Sequence, residues 1–380
     1  MKLRPFFFWF HLSVGLTTGL VIYFLAFTGF LLSFEPQIIS LAERSLKRVS
    51  VPAPDAKSLS LDELNMKVHA LEPDQQVTGL TINKNPNASV LVNVGRDEVL
   101  YINPYTGELL GQGTQLRLFF NTVTELHRWF GFQGPDREAV KTVKGIFTIL
   151  FGISLISGFY LWWPRQWTVS VFKVIGIPTL RFKGKQREFN WHNAIGFWSA
   201  PWLFLIVLTG IIMIYPWAND LLYRATGNEP PARSAMAPPS PDAKGSRGDK
   251  KIARKTHSRS ANFSAYFAAA EKRSPAWLSM NLRLPQGNRP NVMVVIEEPS
   301  SPNAYGRSLL TLDANTAEVI KWEPYEGYNL GRKLRIWVRA LHTGEAGGVF
   351  GQIIAALAVL GAMVSVFTGF NLSFRRFFLK

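Results

Sequence analysis

The chain has no cysteine among its 380 residues. That excludes a disulfide framework, thiolate-held iron–sulfur clusters and haem attached covalently through thioethers. Acidic residues are sparse, 26 against 42 lysines and arginines, for a formal charge of +16. Four stretches lack charge altogether: residues 5–34, 145–163, 189–219 and 346–374. Absent too is a glycine-rich nucleotide loop of the G-x-G-x-x-G kind; GQGTQL at 111–116 stops short of it.

What fills the uncharged stretches is apolar, and each is long enough for a spanning helix of about 20 residues. The pattern predicts an α-helical membrane protein with four transmembrane helices, at 1–34, 140–163, 189–217 and 346–374. The basic start Met1-Lys2-Leu3-Arg4 resembles that of a signal peptide. The apolar core behind it exceeds the roughly 7–15 residues of such a signal, and no small-residue cleavage site follows, so an uncleaved anchor is expected. The segment 164–188 carries Arg165, Lys173, Arg181, Lys183, Lys185 and Arg187 against the single acid Glu188, and the tail 375–380 carries Arg375, Arg376 and Lys380. The positive-inside rule puts both, with the N-terminus, in the cytoplasm. Segments 35–139 and 218–345 then lie outside. Lys141 and Lys144, at the outer edge of the second span, run against that rule. Topology accounts for much of the charge, and no nucleic-acid partner is needed.

The spans repeat in pairs. Aligning His11 with His192 superimposes Gly15 on Gly196 and Thr28-Gly29 on Thr209-Gly210. Each half continues with a helical segment, LSLDELNMKVHAL or FSAYFAAAEKR, and then with alternating strands. The strands end in matching turns, NPYTGE at 103–108 and DANTAE at 313–318. A helix ending in Leu-His follows in both, at His127 and His342. A closing span comes next, marked by Ser157-Gly158-Phe159 and Thr368-Gly369-Phe370. The halves run over roughly 1–165 and 185–380, with a cytoplasmic loop between. Residues 226–260, rich in Pro, Ala, Ser and Lys, interrupt the second half as an expected disordered linker.

Of six histidines, His257 falls in the linker and His69 on a solvated helix. The other four stand at equivalent landmarks, and imidazoles in or near spans are rare and usually functional. No carboxylates gather round His11 and His192 as at a zinc site, although Glu125 and Glu345 neighbour the other pair. Two histidines from two helices at one depth suit haem iron held axially from both sides. His11 and His192 can share an inner haem, and His127 and His342 an outer one; crossing the pairs would require one iron to bridge about 30 Å. Positions four and eight residues beyond each inner histidine, Gly15 and Gly19, Gly196 and Ala200, are small enough to leave a face for a macrocycle, although small residues also let helices pack closely. Gly29 and Gly210, five turns on and in phase, would clear the same face for the outer one. Arg128, Arg335 or Arg339 could pair outer propionates, and Arg4 and Arg375 inner ones. Two bis-histidine haem b groups follow as an expectation. Tryptophans near span ends, such as Trp162 and Trp198, read mainly as interfacial belts.

These residues resemble the PepSY-associated transmembrane proteins of bacterial inner membranes, and LHRWFG at 126–131 matches that family's L-H-R-x-x-G signature. The resemblance implies an α+β PepSY-like periplasmic module in each half and marks His11, His127, His192 and His342 as haem ligands. It further implies the activity of the family's di-haem ferrioxamine reductases: reduction of ferric iron in a periplasmic siderophore, with release of the ferrous ion. LHTGEAGG in the second half departs from the signature, leaving the outer propionate contacts asymmetric. With no nucleotide loop, electrons would come from a separate cytoplasmic reductase or from quinol. The alternatives are a di-haem cytochrome for another periplasmic acceptor, a haem-free binding or regulatory protein, and a transporter; the halves cross in the same direction and no span carries an internal acid, which speaks against the last.

Overall fold

A computed structural model describes residues 3–73, 76–95, 98–231, 262–285 and 291–378. Most of the expected linker 226–260 and His257 lie outside the described residues. In chain order the helices are α1 (Leu3–Leu32), α2 (Glu35–Ala42), α3 (Leu61–Leu71), α4 (Gln115–Trp129), α5 (Asp136–Trp162), α6 (Val169–Ile175), α7 (Gly184–Ile214), α8 (Pro216–Ala225), α9 (Phe263–Arg273), α10 (Leu330–Thr343) and α11 (Gly348–Phe377). The strands are β1 (Val77–Asn83), β2 (Val90–Val94), β3 (Glu98–Ile102), β4 (Leu109–Gln112), β5 (Ser279–Arg283), β6 (Asn291–Glu297), β7 (Ser308–Asp313) and β8 (Val319–Glu323). Contacts divide the chain into two units, one of residues 1–35, 119–230 and 330–380, the other of 36–118 and 231–329.

The first unit is a helix bundle. Its four long helices α1, α5, α7 and α11 lie within stretches long and apolar enough to cross a membrane. α1 packs against α5 and α11, and α7 packs against α11 and α5, which closes a ring of four. At its centre Ala26, Leu203, Ala358 and Ala362 are buried with Phe151, Leu155 and Met363 around them. Small residues at this seam let backbones approach where lipid offers no hydrophobic drive for helix association; a Cβ on Gly152 would stand 3.1 Å from Val207. The α5–α7 connection is tied down by side chains of the bundle. Trp162 Nε1 donates to the Ile175 carbonyl at 2.9 Å, Trp198 Nε1 to Gly176 at 2.8 Å and Trp191 Nε1 to Thr179 at 3.0 Å. Asn190 donates to Val174 and Ile177 and accepts from the Thr179 N–H. These side chains therefore anchor the connecting chain.

The second unit is one antiparallel sheet in the order β4-β3-β2-β1-β5-β6-β7-β8, with α3 and α9 over one face. The order mirrors about the β1–β5 pair, where Leu80 stands opposite Leu282. Alternation makes the buried face: Val90, Val92 and Val94, then Met280 and Leu282, then Val292, Val294 and Ile296. Ser60 and Glu63 form a reciprocal cap at the start of α3. Beside it the Asp62 carboxylate accepts from the N–H groups of Phe263 and Ser264, at 2.8 and 3.3 Å, and so caps α9. The two turns, 103–108 and 313–318, make the same bonds: the first residue's N–H donates to the sixth carbonyl, and the fifth residue's N–H donates back to the first. The fifth residue needs a left-handed backbone, supplied by Gly107 at φ +71° and adopted by Ala317 at φ +58° under strain.

Glu43, just past α2, is fully buried. Arg117 grips it in a fork, Nε to Oε1 at 2.7 Å and a terminal nitrogen to Oε2 at 2.6 Å, while Tyr101 Oη donates at 2.6 Å and the Thr114 N–H at 2.9 Å. The network joins the chain entering this unit to β3 and to the start of α4.

Candidate functional site

All four landmark histidines belong to the bundle. From Phe119 onward the Leu-His helix α4 lies with the spans, where His127 bonds Thr28 of α1.

His11 and His192 sit near the N-terminal ends of α1 and α7 and face each other, ring centres 6.2 Å apart and planes at 80°. Metal–imidazole bonds are about 2 Å, so two rings flanking one ion have centres about 6 Å apart. Each ring is held from behind by the neighbouring helix. His11 Nδ1 lies 3.1 Å from the Ser154 carbonyl and 3.1 Å from Ser157 Oγ. His192 Nδ1 lies 3.0 Å from the Ser365 carbonyl and 3.2 Å from Thr368 Oγ1. A carbonyl only accepts, so in both rings Nδ1 carries the proton and Nε2 keeps its lone pair.

The second pair repeats the arrangement with the helices exchanged. His127 Nδ1 lies 2.9 Å from Thr28 Oγ1 on α1, and His342 Nδ1 lies 3.1 Å from Thr209 Oγ1 and 3.0 Å from the Ile206 carbonyl on α7. Thr28 and Thr209 spend their own protons on carbonyls one turn back, at 2.8 and 2.7 Å, and so accept from the imidazoles. Burial first, then the neighbouring charges of His342 and Lys144, pushes His127 down to about 3. Burial, with Lys144 and Arg339 adding to it against a backbone hydrogen bond to Ile206, holds His342 at about 4. Both imidazoles are thus neutral, as ligands must be.

Gly29 and Gly210, expected to clear a face for a macrocycle, each lie against a histidine: a Cβ on either would stand 3.4 Å from Cε1 of His127 or His342. Gly158 and Gly369 do the same for His11 and His192, at 3.0 and 3.3 Å. Gly19 is filled by the ring of Phe370 from α11, so it serves helix packing. Gly15 alone opens on free space, and Gly196 meets only Ser365 Oγ, at 3.6 Å; Ala200 is half-buried. One rule covers the four glycines beside histidines. A hydroxyl residue followed by glycine fixes the proton with the first side chain and leaves room for the ring with the second.

Arg4 donates to the carbonyls of Leu161 and Trp163, and Arg375 forks onto Glu188 at 2.9 and 3.2 Å, so both have partners within the bundle. Arg335 donates to Asn219 at 3.0 Å. Arg128 lies over the Trp129 ring, and its carbonyl accepts from Lys144 Nζ at 2.8 Å. His69 is exposed on α3.

Two imidazoles cannot complete the shell of a bare ion, and among the described residues no group of three or more His, Asp or Glu side chains assembles. A flat macrocycle with four equatorial donors would ask the protein for just two axial ones, and the His11–His192 spacing has room for one such ion between the rings.

The bundle is that of a membrane protein with paired imidazoles at two levels. The chain belongs to the family of the PepSY-associated TM region, whose sequence model matches residues 8–376. No curated protein matches it.

Proposed function

We propose that the chain is a di-haem b reductase of the bacterial inner membrane, passing electrons outward to ferric iron in a periplasmic siderophore complex. On this reading it is a tandem repeat whose halves each contribute one ligand to each haem and one PepSY-like periplasmic module, with both termini cytoplasmic. The observation that carries it is the facing of His11 and His192 at 6.2 Å with both Nδ1 protons committed to α5 and α11. Haem, when bound, supplies a one-electron iron couple. The residues of this chain do the rest. Ser154 and Ser365 carbonyls orient the inner ligands, Thr28 and Thr209 orient the outer ones, and the Ala26–Leu203–Ala358–Ala362 core keeps the space between dry. Bis-imidazole coordination leaves no site for oxygen, which favours electron transfer over oxygen activation. Donors of the chemical classes quinol or cytoplasmic reductase would supply one electron per ferric ion.

Purified protein should carry about two low-spin haems per chain by its reduced-minus-oxidised spectrum. His192→Ala should remove one of them and leave the other. Reduced protein should be reoxidised by a ferric siderophore, with ferrous iron appearing in a ferrous-specific trap. Colourless protein from haem-replete cells would overturn the reading.

A further inference from the structure

The two histidine pairs stand far apart along the same two helices. On α1, Thr28 meets His127 and lies 17 residues past His11; on α7, Thr209 meets His342 and lies 17 past His192. Both helices run unbroken through these positions, over Leu3–Leu32 and Gly184–Ile214. At about 1.5 Å per residue the two levels are about 25 Å apart. That is most of a hydrocarbon core about 30 Å thick. Nothing in between can balance a passing charge. Residues 12–27 of α1, 145–153 of α5, 193–208 of α7 and 348–364 of α11 include no Asp, Glu, Lys, Arg or His. Thr18 and Thr148 donate their hydroxyl protons to carbonyls of their own helices, at 2.9 Å in both cases. The imidazoles carry no proton between the levels either. Nδ1 of His11, His192 and His342 faces a backbone carbonyl, and that of His127 faces Thr28 Oγ1. A membrane voltage drops across apolar, low-dielectric material of this kind, and a charge crossing it alone feels the whole drop.

We infer that the chain holds its two ligand pairs across the membrane's electric field, so that the membrane voltage governs how electrons divide between them. The inference rests on the di-haem reading above and adds a regulator to it. One electron passes. Iron at the His11–His192 level goes from ferrous to ferric and iron at the His127–His342 level from ferric to ferrous, with no bond broken and no proton moved. With the first pair on the cytoplasmic side, an inside-negative voltage drives the electron outward, toward the acceptor. Collapse of the voltage withdraws that drive. The levels span about five-sixths of the core, so 100 mV changes the electron's distribution by about 20-fold.

The test reads haem absorbance at equilibrium, without turnover. Holoprotein is reconstituted into vesicles in one orientation, checked by protease access to the 164–188 loop. A membrane-impermeant iron-chelate redox buffer poises it from the side of the His127–His342 pair. Potassium gradients with valinomycin then impose voltages of either sign. Half of the haem band should follow the buffer and ignore the voltage. The other half should change its ferrous-to-ferric ratio by about 20-fold per 100 mV, toward ferric when the His11 side is made negative. His192→Ala should keep the silent half and lose the responsive one. A band indifferent to voltage overturns the inference and leaves the reductase reading standing. So does a shift that follows an imposed pH difference instead, because a proton then accompanies the electron. A response that persists in His192→Ala overturns it as well. Protein that binds no haem, or whose band the buffer moves only in half at zero voltage, defeats the reductase reading itself.

Discussion

Gly158 of α5 faces the imidazole of His11 so closely that a Cβ on the glycine would lie 3.0 Å from the ring's Cε1. That is tighter than ordinary carbon contact, and the ring's back is fixed by two oxygens, so it cannot simply retreat. Gly158→Ala should tilt His11 away from His192, at a packing cost of about 1–3 kcal/mol. Its expected mark is loss of one haem, with the spectrum of the other unchanged. Retention of both, with unaltered bands, would refute the role assigned to this contact.

Thr28 gives the sharpest test of tautomer control. Thr28→Val keeps the shape and removes the hydroxyl that accepts from His127 Nδ1. Loss of such a supporting contact typically costs 10–100-fold in affinity for the metal group. Thr28→Ser should restore most of it. Haem retention during dilution, measured for the three forms, separates a hydrogen-bond role from mere packing, which Ser would not rescue.

The buried Glu43 makes the sheet unit sensitive to acid. Burial alone would raise its carboxyl, but hydrogen bonds from Arg117, Tyr101 and the Thr114 N–H overcome it and pull the group down to about 2. A depressed acid stabilises the fold above its unfolded value and ceases to as pH falls through its folded one. Stability should therefore be constant above about pH 5 and decline toward pH 2, by about 2–3 kcal/mol from this group. Glu43→Gln should flatten that limb in denaturant titrations and lower stability at pH 7, because Arg117 loses its partner. A variant with the wild-type acid limb would exclude Glu43 as its source.

Asp62 joins α3 to α9 across more than 200 residues by capping the second helix. Asp62→Ala should cost about 1 kcal/mol, and Asp62→Asn less, as judged by the denaturation midpoint. No change in the midpoint would mean that Asn262, which also caps this helix through the Ala265 N–H, suffices alone.

The sequence made the spans legible because lipid demands long uncharged helices, and it made the strands legible through alternation and the paired turns. The histidines stood out because their landmarks recur. Their supports did not. Ser157-Gly158, Thr28-Gly29 and their counterparts were visible as marks of symmetry, but which helix each histidine turns toward depends on how the four helices close, and no periodicity encodes that. The same gap hid Gly19: a small residue in phase with His11 looks alike whether it faces a macrocycle or Phe370. Glu43 could not have been singled out either, since its partners lie far along the chain, at Tyr101 and Arg117.

The seam between β1 and β5 has a consequence for engineering. Cut between the halves, the protein would bare a central strand on each piece, an open ladder of amide and carbonyl groups of the kind that recruits stray chains. The halves are best expressed joined or together, and a lone half is expected to precipitate.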